Sequence, residues 1–112
     1  MKFKIGDSVI VKSGVLDPDF GIDISGWQGR IEEVDDGETV FIRWDSITLR
    51  EMRLDMIIRC ENENLDWELM TLDMDEIVVT TARDSEADVS RKASQLKVEM
   101  IGDPRLNAEQ DV

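Results

Sequence analysis

Three groups of side chains in this chain could do chemistry, and each needs a particular setting. Asp17, Asp19 and Asp23 bring three carboxylates into one short stretch, as a calcium loop does, because a hard cation takes several oxygen ligands at once. Counted from Asp17, however, the positions where such a loop needs a glycine and a bidentate glutamate are Ile22 and Gln28. The aspartates therefore read more readily as turn formers. Cys60 lies beside Arg59, which would favour a thiolate, but it also falls on an apolar helical face, where a thiol is buried and inert. Phe20, Trp27 and Trp44 form the third group, since rings that converge can cage a methylated cation. With three Trp, three Phe and no Tyr in the chain, filling of the core and rim is the plainer use of these rings.

Little else supports catalysis. The chain has no histidine to act as a base near neutral pH, no Gly-x-Ser-x-Gly elbow and no phosphate-cradling Gly-x-x-x-x-Gly-Lys loop. The pairs Asp35-Asp36 and Asp75-Glu76 fall in turns, whereas acid–base use would need burial to separate their pKa values. One cysteine without histidine also argues against a structural zinc site. The inventory points to no catalytic residue, no metal and no cofactor, and so to a binding module.

Charge narrows the choice of partner. The 112 residues carry a net charge of −13, which repels a phosphate backbone and argues against nucleic acid. Residues 1–82 hold 19 acidic and 8 basic side chains, so the body of the chain is its acidic part. A basic protein surface is the partner electrostatics favours, through faster encounter more than tighter binding. Solubility alone is the simpler account of the same charge. No run of apolar residues reaches a membrane-spanning length, and the opening MKFKIGDSVIVK is broken by Gly6, Asp7 and Ser8, so neither a span nor a secretory signal is expected. A lone cysteine suits a reducing cytoplasm.

The elements that must position these groups follow from local pattern. A chain of this length buries roughly 65% of its unfolded surface, enough for one core. A short strand is expected over 8–12, preceded by a turn at Gly6-Asp7. Residues 13–25, with two glycines, a proline and three aspartates, form a long loop of the Ω kind. Strands over 29–34 and 39–45 flank Asp35-Asp36-Gly37, where an Asp-Gly pair signals a hairpin. The first alternates imperfectly, while the second puts Val40, Ile42 and Trp44 on one side. A further short strand is expected over 47–50, helical turns around 54–61 and a closing strand over 76–80. Ser85 and Asp88 form a capping box, followed by an apolar stripe at Val89, Ala93, Leu96 and Met100 that Gly102-Asp103-Pro104 ends. Residues 103–112 are read as a flexible tail.

Taken together, the segments FKIGDSVIV from Phe3, GWQGRI from Gly26 and VFIRWD from Val40 resemble the opening of small SH3-like barrels, the broad group that holds KOW and Tudor modules. The resemblance covers about residues 3–50. It implies a mainly β fold, an SH3-like small barrel over 1–82, here with a short helical insertion at about 51–64 and a C-terminal amphipathic helix over 83–102. Members of that group bind peptides, methylated side chains, RNA elements or other domains. On this reading the chain is a protein-interaction module. Exposed parts of Phe20, Trp27 and Trp44 anchor the partner, and the acidic loops, Asp35 and Asp36 among them, steer it. Two other readings compete: an acidic inhibitor or immunity-like protein that covers a basic enzyme, and a calcium-responsive domain built on residues 17–23.

Overall fold

The computed structural model describes residues 3–106. Among these residues five strands form one antiparallel sheet: β1 Ser8–Val11, β2 Gln28–Asp35, β3 Thr39–Trp44, β4 Leu69–Asp73 and β5 Ile77–Val79. Their order across the sheet is β4-β3-β2-β1-β5, a four-strand meander from β1 to β4 with a fifth strand, β5, added beside β1. β4 and β5 are the two edges. They do not pair with each other, so strand pairing leaves the sheet open rather than closed into a barrel.

The β2–β3 hairpin turns where expected. Asp36 and Gly37 both have positive φ, as a primed turn requires, and the Glu38 amide donates to the Asp35 carbonyl at 3.2 Å. The imperfect alternation of β2 has a physical cause. Its register against β3 shifts between Ile31 and Glu33, a bulge that lets Ile31 face Ile42 and still brings Val34 opposite Val40 on the inner side. On β3, Val40, Ile42 and Trp44 are all buried. β4 lies where no strand was expected, and pairs along the outer edge of β3. A 3-10 turn, Met74–Glu76, leads from it into β5.

Residues 47–50 are helical, not the expected strand. They lie in α1, Ser46–Glu51, which is followed by α2, Leu54–Asn62. Asp45 caps α1, its carboxylate accepting from the Thr48 amide at 2.8 Å. The Ser46 amide donates to Asp84 from 38 residues away, at 2.7 Å. A local cap and one long-range contact thus meet at the start of this helix.

The third helix, α3 Glu86–Ile101, starts at the Ser85–Asp88 capping box, and Val89, Ala93, Leu96 and Met100 are its buried residues. It packs chiefly on α1 and also on α2, so its apolar stripe is covered within the chain. Beyond it, Asn62 donates to the Arg105 carbonyl at 3.0 Å and Leu106 packs against the core, which ties residues 103–106 to α2. The rest of the expected tail, 107–112, lies outside the described residues.

Candidate functional site

The loop over residues 13–25 is a folded-back platform. Leu16 bridges Asp23, and the Asp17 amide donates to the Ile22 carbonyl at 2.7 Å. Asp17 is only 4% exposed, and its carboxylate accepts from the amides of Asp19 and Phe20. Asp23 accepts from both the amide and the hydroxyl of Ser25, which hold its carboxyl below the usual range. Both carboxylates are therefore turned onto the backbone they organise, as in Asx turns. Among the described residues, no three metal-ligating side chains gather where they would hold an ion.

This platform presents Phe20 to α2, and two grooves open on either side of that contact. The first, of 390 Å³, runs between the loop, α2 and β4 over Phe41, Leu65, Trp67 and Met70, with Asp17, Asp19 and Asp66 among its walls. The second, of 290 Å³, lies between Phe20, Ile22 and Trp27 on one side and Met52, Met56 and Arg59 on the other. Phe20 and Met56 border both. The Arg59 guanidinium stands over the Phe20 ring, 3.9 Å from its centroid, and pairs with Glu63 at 3.0 Å.

Of the residues singled out by sequence, Phe20 and Trp27 meet in the second groove. Trp44 does not reach the surface. It is 1% exposed and lies beneath Trp27, with ring centroids 5.1 Å apart and planes at 86°. As the last inward residue of β3 it is core, so it supports Trp27 edge to face and cannot itself anchor a partner. A cage of these three rings would thus be reduced to two, and a cation of this chain already covers one of them. Asp35 and Asp36 are exposed at the hairpin tip and line neither groove. Sequence reading missed the α2 side of the site, Met56 and Arg59 above all. The signal was present in the apolar spacing of Met52 and Met56, but which loop faces that helix is a tertiary fact.

Cys60 is a buried residue in the lining of the first groove. Burial, followed by the charges of Asp17, Asp19 and Glu63, pushes its thiol up to about 11, against a smaller opposing pull from Arg59. A thiol so placed is almost wholly protonated near neutral pH and is a poor nucleophile. An alkylating reagent at about pH 8 is expected to leave the native protein unmodified and to modify it fully after denaturation. Rapid alkylation of the folded protein, followed by intact mass, would show instead an accessible, activated cysteine.

Comparison with protein-family models, with curated proteins and with solved structures finds no match to this chain. Among the described residues, no helix is long and apolar enough to cross a membrane.

Proposed function

We propose that this chain is a non-catalytic protein-interaction module with an SH3-like fold, which holds a basic segment of a protein partner where the 13–25 loop faces α2. The observation that carries this reading is the pair of apolar grooves sharing Phe20. Their floor is aromatic and methionine-rich, as in adaptable binding surfaces, and the walls of the first hold carboxylates alone while those of the second balance two carboxylates with two arginines. The two arginines of the second groove are already paired, Arg53 with Asp55 and Arg59 with Glu63. A negative rim around an apolar floor would steer a basic partner and then desolvate its apolar side chains. The buried, unpaired Cys60 suits a reducing cytoplasm.

The SH3-like reading draws support from the curl of the sheet. β4 and β5 are the outermost strands, yet only the three residues of the 3-10 turn separate them. That connection spans at most about 14 Å, whereas the edges of a flat five-strand sheet stand about 19 Å apart. The sheet must roll its edges toward each other.

The acidic-inhibitor reading has one observation in its favour. Asp35, Asp36, Glu38, Asp73 and Asp75 are all exposed around the hairpin tip and the 3-10 turn, and among the described residues none of them is in an ion pair. Affinity capture from a lysate of the source organism separates the two readings. The module predicts a protein retained by the native chain and by an Asp35→Asn, Asp36→Asn variant, but lost with a folded Phe20→Ala, Ile22→Ser variant. Retention that ignores Phe20 and collapses with salt or with the asparagines would replace it with the acidic mimic.

A further inference from the structure

The geometry points to an arginine subsite: the first groove receives an arginine side chain from an exposed, otherwise apolar segment of the partner. This deepens the reading above and rests on it. The two grooves share Phe20, but Arg59 lines only the second. On that side the chain supplies its own guanidinium, stacked at 3.9 Å and held by Glu63. The first groove repeats the chemistry without a cation. Phe20, Phe41 and Trp67 line it, Asp17, Asp19 and Asp66 contribute carboxylates, and among the described residues no lysine or arginine lines it. It is also built largely from α2, β4 and the residues between them, outside the stretch of chain that resembles small barrels.

An arginine fits these walls better than a lysine. The guanidinium is planar and weakly hydrated, so it can stack on a ring while its edge donates to a carboxylate, whereas an ammonium keeps its water. Asp17 accepts from two backbone amides, so it supplies fixed negative charge rather than a free ligand. Asp19 and Asp66 are both exposed; Asp19 can turn toward a bound cation, and Asp66, one of whose oxygens accepts from the Glu68 amide at 2.9 Å, can offer its other oxygen. The Cys60 thiol in the same lining, its pKa raised by burial and then by Asp17 and Asp19, registers the same negative field.

The tryptophan indoles make the test site-specific. Trp67 lines the first groove and donates from Nε1 to Glu61 at 3.1 Å, Trp27 lines the second, and Trp44 is buried beneath it. The probes are three capped pentapeptides, Leu-Arg-Leu-Arg-Leu and its lysine and glutamine counterparts, titrated while the three indole N–H resonances are followed by NMR. The arginine peptide is expected to move the Trp67 signal and leave Trp44 unmoved. It should bind about tenfold more tightly than the glutamine peptide, and measurably more tightly than the lysine one. An Asp19→Asn, Asp66→Asn variant, altered only at exposed positions, should lose most of that preference. Equal binding of the arginine and glutamine peptides, a response at Trp27 alone, or no response to any peptide would each overturn the arginine subsite. None of these would touch the module reading, which stands or falls on capture through Phe20 and Ile22.

Discussion

Replacing Arg83 with alanine is expected to lower the unfolding free energy by about 3 kcal/mol, a large share of what a domain of this size has. The guanidinium binds the Asp45 carboxylate through two nitrogens, at 2.7 and 3.1 Å, and reaches the Thr48 hydroxyl at 3.0 Å. The Asp45 side chain is 5% exposed and that of Arg83 31%. Removal of the cation therefore strands a buried carboxylate, whereas removal of the carboxylate leaves a cation that can still reach water. Burial pushes the Asp45 carboxyl up, but Arg83 and the amide and hydroxyl of Thr48 outweigh it and hold it below its ordinary value. A carboxyl depressed in this way contributes stability above its unfolded pKa, about 4, and loses that contribution as pH falls through the folded value. Urea unfolding across acid pH should show this limb in the native chain and a flatter one in Arg83→Ala, with an unchanged m-value. A loss under about 1 kcal/mol would mean that the pair behaves as a solvated surface bridge.

Gly29→Ala is expected to cost at least about 3 kcal/mol, beyond the usual range for overpacking, and to leave little folded protein at 37 °C. A Cβ at this position would lie 2.4 Å from the Arg43 carbonyl oxygen and 2.8 Å from Ile42 Cγ2. The strand cannot slide away, because Gly29 is paired with Val9 of β1 on one side and Trp44 of β3 on the other. Gly102 is the natural control. Its added Cβ would meet nothing closer than 3.8 Å at an ordinary φ of −80°, so Gly102→Ala should be close to neutral. Circular dichroism melts of the two variants side by side would decide the matter. Equal melting temperatures would show that β3 gives way at Arg43 without loss.

Much of the fold was legible because its signals are local. Asp36-Gly37 specified the hairpin, Ser85 with Asp88 specified the start of α3, and the stripe from Val89 to Met100 specified the face that helix buries. The uneven alternation of β2 was also a true signal, of a bulge. What failed was decided at a distance. α1 starts at the Asp45 cap, a local signal that was passed over, but it is also held by Asp84 from far along the chain, and nothing within residues 46–51 favours helix strongly enough to reveal it. β4 has four apolar or β-branched residues in a row, too few to tell strand from loop without β3 beside it. The candidate site divides the same way. Phe20 and Trp27 stood out by type, while Trp44 was misplaced because strand alternation alone does not say which of its two faces is the core. The partnership of Phe20 with Arg59 joins residues that no sequence spacing relates.

The contacts around Arg83 and Asp84 also bear on how this chain could be divided or recombined. Asp84 meets Arg30 of β2 at 2.9 Å and the first amide of α1, while its neighbour Arg83 holds the cap of that same helix. Two consecutive residues between β5 and α3 thus fasten the middle of the sheet to the start of a helix far from them in sequence. A break at residue 82 would leave Asp45 and Ser46 without these partners and would bare the α1 surface that α3 covers. By its pattern α3 reads as an appendage to a small β unit. Physically it is the keystone of that unit, so a shuffled or transplanted version would have to carry sheet and helix together.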